Sequence, residues 1–305
     1  MNNHSLETYA GLPVADFPAE KPPSGPVAWR LRQPEDEPED VQNPARILDA
    51  LIAEATEPIE ALVIGFWSDQ FDDAFTLGDV RDVLVERAAR LPDLRSLFFG
   101  DITYHENELG WIEQCDVTPL ARLPLTRFEV RGSDGLLLDP VENPALRVLR
   151  FETAGLPGPV TAAVAASDLP ALEELDLWLG TPRYNGTTTV EHLRPVLDGA
   201  RLPSLRHLSL QNGDFHDEVA AALAGAPVVA RLETLSLARG TLTDVGAEAL
   251  LSGQPLTHLR RLDLRHHFLS EEMAARVLAA LPGVEVLIEN DRDLDPADPY
   301  VAIGE

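Results

Sequence analysis

The sequence is short of cations, of cysteine and of long apolar runs, and each shortage excludes a class of protein. Lys and Arg together number 24 against 51 Asp and Glu, a formal net charge of −27 over 305 residues. That balance argues against a general nucleic-acid binder, whose affinity rests on cations neutralising phosphates. It argues equally against docking on an anionic membrane surface. No apolar run approaches the roughly 20 residues of a membrane span. The opening MNNHSLETYAGLP has no basic stretch followed by an apolar one, so no secretory leader is expected. Cys115 is the single cysteine, which rules out an intrachain disulfide and makes a reducing, cytoplasmic setting the expectation. Lysine is nearly absent as well: Lys21 is the only one, beside 23 arginines, a bias expected of high-GC bacterial coding.

Motifs of chemistry are missing too. The chain has no G-x-S-x-G elbow, no G-x-x-x-x-G-K, no H-E-x-x-H and no G-x-G-x-x-G. A lone Cys in WIEQCDV reads as a small buried apolar residue, and His266–His267, adjacent on a strand, point to opposite faces and chelate poorly. The end segment ENDRDLDPADP (289–299) offers Asp291, Asp293, Asp295 and Asp298 as oxygen donors, but it lacks the glycine and the final acid of a calcium loop. A solvated acidic tail is expected there. No metal and no cofactor are expected, and no residue is assigned a catalytic role.

What the chain has is a repeat. LPSLRHLSL (202–210) recurs as LPALEELDL (169–177), RLETLSL (231–237), HLRRLDL (258–264) and LPDLRSLFF (91–99), with weaker copies at 58–64, 123–130, 143–151 and 281–289. The middle apolar position falls at 62, 97, 128, 149, 175, 208, 235, 262 and 287, a mean step of about 28 residues. In L-x-L both leucines point to one side of a strand. Segments such as 215–227, 241–252 and 268–283 carry helical periodicity; in the second, Leu242, Val245, Ala249 and Leu250 form one stripe behind a cap at Thr243 or Asp244. One strand–helix unit cannot bury its own apolar face, so the units must stack. The predicted fold is α/β: a leucine-rich-repeat solenoid, a horseshoe with a parallel concave sheet and convex helices. Its predicted parts are an N-terminal cap (1–57), a repeat domain (58–290) and an acidic C-terminal tail (291–305). Within the cap, VAWRLR (27–32) is expected as a strand and PARILDALIAEA (44–55) as a helix.

LETLSLARGTLTDVGAEALLSG (232–253) resembles ribonuclease-inhibitor-type leucine-rich repeats. GDITY (100–104), DVTPLA (116–121), LWLGT (177–181) and QPLTHLRRLDLRHH (254–267) resemble uncharacterised bacterial, chiefly actinobacterial, leucine-rich-repeat proteins. The resemblance covers about residues 58–290 and implies a binding scaffold, in some cases an accessory subunit of a peptide-modifying system. Gly180, Gly213, Gly240 and His267 stand where the repeat usually has asparagine, so an asparagine ladder is expected to be partial or absent.

The outward strand positions of the first eight repeats carry five arginines and five acids, so the concave sheet is neutral while helices, loops and ends hold the acid excess. The residues expected to bind a partner there are Phe98, Arg127, Arg131, Arg150, Asp176, Trp178, His207, Gln211, Asp263 and Arg265. Arginine and tryptophan are frequent interface anchors; the alternative is that Arg127–Glu129, Arg150–Glu152 and Asp263–Arg265 merely pair across strands. Insertions at 100–116 and 178–189 are expected to bring Asp101, Tyr104, Trp111, Arg183 and Tyr184 to one rim. Alternatively, Trp111 and Ile112 fill the core. The leading expectation is a non-catalytic scaffold for a protein or peptide, monomeric alone because its acidic surfaces repel. A hydrolase using Asp101, Glu106 and Asp116 is the enzymatic alternative.

Overall fold

The computed structural model describes residues 5–19, 23–34, 43–67, 75–290, 294 and 298–304. Its strands are β1 (Thr8–Tyr9), β2 (Leu12–Asp16), β3 (Ala28–Leu31), β4 (Ala61–Ile64), β5 (Ser96–Phe99), β6 (Arg127–Arg131), β7 (Val148–Glu152), β8 (Glu174–Gly180), β9 (His207–Gly213), β10 (Thr234–Ser236), β11 (Arg261–Asp263) and β12 (Glu285–Leu287). The helices are α1 (Pro44–Glu54), α2 (Leu77–Arg87), α3 (Thr118–Ala121), α4 (Gly158–Ala166), α5 (Val190–Asp198), α6 (His216–Leu223), α7 (Asp244–Ser252) and α8 (Glu271–Ala280). All twelve strands form one sheet in chain order. Only the β1–β2 hairpin is antiparallel; every later neighbour is parallel. The fold is thus an α/β stack with a mostly parallel sheet, and α1–α2–α3 and α4 through α8 pack each on the next.

The repeated leucine sets the register. Leu62, Leu97, Phe128, Leu149, Leu175, Leu208, Leu235 and Leu262 are mutual partners along one row. They are all buried, as are Ile64, Phe99, Val130, Phe151, Leu177 and Leu210 in the row beside them. Each such side chain contributes about 1.5–3 kcal/mol when withdrawn from water. The last repeat departs from the predicted spacing: Leu262 pairs with Val286 and Asp263 with Leu287. Hydrophobicity decides that register. With Val286 in the row, Ile288 also points inward and is buried; one residue later, Glu285 and Glu289 would point there instead.

The helical segments follow their caps. Asn43 Oδ1 accepts the Ala45 and Arg46 N–H groups, and Ser270 Oγ accepts that of Met273. Thr243 caps α7 by accepting from Val245 N–H. The stripe of α7 differs from the expected one: Val245 is 71% exposed, and Gly246, Ala247 and Leu250 face inward. Asp217 of α6 is the cause, since its carboxylate accepts the N–H groups of Thr243 and Gly246 and draws that edge of α7 inward. Between β6 and β7, residues 132–147 form no helix, as the 21-residue step leaves no length for one. Side chains satisfy that stretch instead: Thr118 Oγ1 accepts from Asp139 N–H, Ser167 Oγ from Val141 N–H and Asn143 Oδ1 from Ala145 N–H.

Both ends of the chain fold back. The N-terminal segment joins the sheet through β2 and β3 without a break at the predicted cap boundary. Tyr9 also reaches across the sheet's second face and buries Ala28, Ala61, Val63 and Phe98 in a separate small cluster. At the other end, Ala302 and Ile303, beyond the 289–299 stretch expected as a solvated tail, are bound to the repeats. Ile303 is buried and exchanges two hydrogen bonds with the Asn212 amide, and Ala302 N–H donates to the Arg239 carbonyl. Asp291, Asp293 and Asp295, with most of the acidic loop 33–40, lie outside the described residues.

Strand ends turn through left-handed backbone, most tightly at Gly180. Its φ is +65°, and a Cβ there would overlap the Ala154 carbonyl oxygen. Gly283 shares the left-handed backbone, φ +88°, but has open space around it. Gly180→Ala is therefore expected to lower the unfolding free energy at least twice as much as Gly283→Ala, which bears only the ~1–2 kcal/mol backbone cost. Urea denaturation measures both; equal losses would contradict the close approach.

Candidate functional site

Strand alternation lines up Glu129, Arg150, Asp176, Ser209, Ser236 and Asp263 on the sheet face opposite the leucine rows. One residue pair further along each strand lie Arg131, Glu152, Trp178 and Gln211. This face carries the candidate site, and its charges are connected. Arg150 sits among three carboxylates, at 3.0 Å from Glu152, 3.1 Å from Asp176 and 3.6 Å from Glu129. Arg131 joins Glu152 (2.7 Å) to Asp101 (3.3 Å), and Arg30 of β3 reaches the other oxygen of Asp101 at 3.1 Å. Gln211 Nε2 donates to Asp176 at 2.9 Å and Gln211 Oε1 accepts from Arg239 at 3.2 Å.

The vertical order of these charges matters more than their sum. Side-chain exposure is 33% for Arg127 but 5% for Glu129, its partner at 2.7 Å. It is 29% for Arg150 but only 5–7% for its three carboxylates, and 57% for Arg265 against 13% for Asp263. At Arg127, Arg150 and Arg265 the guanidinium lies above its carboxylate, whereas Arg131 and Glu152 are equally buried and on β2–β3 the order reverses, with Arg30 beneath the exposed Asp16. Around Arg127, Arg150 and Arg265 the face therefore offers solvent its cationic side.

Burial and crowding perturb the titration of the floor. Burial pushes Asp176 up to about 6; Arg150 and the Gln211 amide oppose the shift, and neighbouring Glu152 adds to it. One guanidinium cannot fully compensate three carboxylates. Burial likewise raises Glu152, but Arg131 and Arg150 together outweigh it and hold the group below its ordinary value. Burial also raises Asp101, against the pull of Arg131 and Arg30.

Trp178 is 5% exposed, with the Arg239 guanidinium over its ring at 4.5 Å and that of Arg150 at 5.7 Å. Its indole N–H is buried without a hydrogen-bond partner. Both geometries suit cation–π attraction.

The predicted residues sort as follows. Arg127, Arg131, Arg150, Asp176, Trp178 and Gln211 converge on this face, whereas Asp263 and Arg265 pair with each other further along it at 2.6 Å. His207, half-buried, bonds Thr234 Oγ1 through Nδ1 at 2.9 Å. Phe98 is on the face but lies under Tyr9, edge to ring at 5.8 Å, so it offers no free surface. Arg127–Glu129, Arg150–Glu152 and Asp263–Arg265 pair along the chain rather than across strands; cross-strand bonds include Arg150–Asp176, Arg150–Glu129, Arg131–Glu152, Arg261–Glu285 and Arg30–Asp16.

Of the rim residues, Trp111, Arg183 and Tyr184 line one cleft with Glu108, Gly110, Asp134 and Asn185. Trp111 is 56% exposed while Ile112 enters the core. Tyr104 is exposed on the same insertion, but Asp101 is fully buried and belongs to the ion-pair floor. The three carboxylates of the hydrolase alternative are each engaged elsewhere: Asp101 by Arg30 and Arg131, Glu106 by Arg32 and Thr103, and Asp116 by the N–H of Thr118. Arg30, Arg239 and Tyr9 were not among the predicted site residues. Arg30 was readable from the alternation of VAWRLR; Arg239 lies just past the L-x-L pattern.

No family model matches this chain, and no curated protein is similar enough to match. Among solved structures, the chain is similar to a Bacteroides fragilis protein whose crystal structure was determined by the Northeast Structural Genomics Consortium. The TM-score is 0.81 and the identity 26%, over 92% of this chain and 79% of the other. The likeness supports the α/β stack.

The crowding at Asp176 predicts a pH dependence. A carboxyl raised from 3.8 to about 6 on folding stabilises the fold fully only below its unfolded value, and that contribution is lost as pH rises through about 6. From pH 4 to 7 the wild type should therefore lose roughly 2 kcal/mol relative to Asp176→Asn, which cannot titrate. Urea unfolding of both proteins at several pH values measures this; a constant difference would contradict it.

Proposed function

We propose that the chain is a leucine-rich-repeat solenoid of horseshoe shape, and that it works as a non-catalytic scaffold whose open sheet face binds a protein or peptide. The repeat spacing and the in-register leucine rows support the first part. The layering of arginine over carboxylate supports the second. A charge network built only for stability has little reason to leave the guanidinium as the exposed member, since buried ion pairs are at best weakly stabilising. Arginines held by carboxylates beneath them are preorganised donors, and preorganisation lowers the cost of binding. The engagement of Asp101, Glu106 and Asp116 by separate partners further favours binding over hydrolysis. The net charge of −27 favours a protein partner over nucleic acid or an anionic membrane, and a cytoplasmic setting suits the single Cys115.

The test is capture of partners from a lysate of the source organism. Arg127→Glu combined with Arg265→Glu reverses two solvent-facing cations on the face, one half-buried and one exposed. Arg194→Glu, at an exposed position of helix α5, is the control. Wild type and control are expected to retain a shared partner that the double variant loses at least tenfold. A partner retained by the double variant would contradict the open-face reading.

A further inference from the structure

Arg239 differs from every other arginine on the open face. Arg30, Arg127, Arg131, Arg150, Arg261 and Arg265 each hold a carboxylate. Among the described residues, Arg239, half-buried, has no ion-pair partner; its guanidinium bonds Gln211 Oε1 at 3.2 Å and lies over the face of Trp178. Burial lowers its affinity for a proton, with Asp176 and Glu152 too far away to form a bond though near enough to oppose the shift. Its backbone is also unusual. The residue four past the row position is Gly132 after β6 and Asn212, Arg239 and His266 after β9, β10 and β11, all with positive φ (+109°, +54°, +68° and +58°). Gly and Asn adopt that conformation readily, whereas arginine rarely does. An unpaired cation held in strained backbone fits a functional position better than a structural one.

Two guanidinium groups thus lie over one indole, that of Arg239 at 4.5 Å and that of Arg150 at 5.7 Å from its centroid, and the indole N–H is itself buried without an acceptor. Arg150 already serves three carboxylates, but Arg239 serves none.

We infer that Arg239, over Trp178 and beside Arg150, seats one Asp or Glu side chain carried by an extended segment of the partner. This rests on the open face being the binding surface. The chain itself shows a related contact on β3–β5: the backbone of Leu6 donates its N–H to Asp101 and accepts from Arg30 at its carbonyl. A segment of the partner crossing β7–β10 meets the same chemistry, with the addition of a cation that lacks its anion. The surrounding −27 repels a run of acids, so the segment carries its carboxylate singly among neutral or basic residues.

The experiment is selection from a displayed library of random dodecapeptides, internal to a fusion and so without free C-termini, on the full chain. Selected sequences are then remade as amidated synthetic peptides and titrated. The expected peptides share one Asp or Glu. Changing it to Asn or Gln weakens binding at least tenfold, as does Arg239→Asn or Arg239→Gly in the protein, and the two changes together cost no more than either alone. Both protein variants suit the backbone, and thermal denaturation should find them at least as stable as wild type. Peptides indifferent to Arg239 but lost with Arg127→Glu/Arg265→Glu would overturn the carboxylate seat and leave the open face standing. A free-acid peptide lacking Asp and Glu that outbinds its amide would overturn the side-chain source. Peptides indifferent to every face variant, or none selected at all, would overturn both readings.

Discussion

Parallel in-register stacking is the constraint on which the rest of the molecule depends. Because Leu62, Leu97, Phe128, Leu149, Leu175, Leu208, Leu235 and Leu262 occupy one row, every alternate residue of each strand is aligned on the opposite face. A single strand would place one charge there in water. Stacked strands about 4.8 Å apart place carboxylates and guanidinium groups within bonding reach of the next repeat. The same repetition that buries the leucines therefore creates the ion-pair floor, and the two faces of the sheet cannot be varied independently.

The floor is neither uniform nor fully compensated. Arg150 is shared among Glu129, Glu152 and Asp176, and the carboxyl left with least compensation, Asp176, is the one whose proton affinity rises most clearly. Towards β3 the network is closed by Arg30 and Asp101 and roofed by Tyr9, which seals Phe98. Towards β10 and β11 it opens, with Arg239 and Arg265 less covered. The C-terminal segment ties Ile303 to Asn212 and lies against the backbone of Arg239, so it braces the turn that carries this arginine. Rigid support of this kind is what a binding position on a strand end requires.

Much of this arrangement could be read from the residues, with limits that have physical causes. The L-x-L pattern gave the row positions from 62 to 262 because apolar alternation fixes strand register. It placed the last repeat one residue late because spacing was followed where alternation, Val284, Val286 and Ile288, was the stronger signal. The stripe of α7 was misplaced at Val245 because a tertiary bond from Asp217 turns the helix, and no local periodicity reports such a bond. Outward positions were identified from alternation alone, but which member of each Arg–acid pair lies on top depends on side-chain length and packing. Arg239 escaped because it follows the strand, and only the left-handed turn shared with Gly132 and Asn212 marks its place. Tyr9 is joined to Phe98 by a fold-back that no repeat pattern announces.

The layering of arginine over carboxylate is the central claim, and residue-resolved carboxyl footprinting tests it most directly. The folded protein is treated with a carbodiimide and glycine ethyl ester, and modified residues are quantified by mass spectrometry. Glu285 and Asp16, with side chains 55% and 60% exposed, should label readily. Asp101, Glu129, Glu152 and Asp176 should stay protected until the protein unfolds. Labelling of Glu129 or Asp176 in the folded protein at the rate of Glu285 would mean that the carboxylates, not the arginines, form the outer layer, and the account of the face would fail.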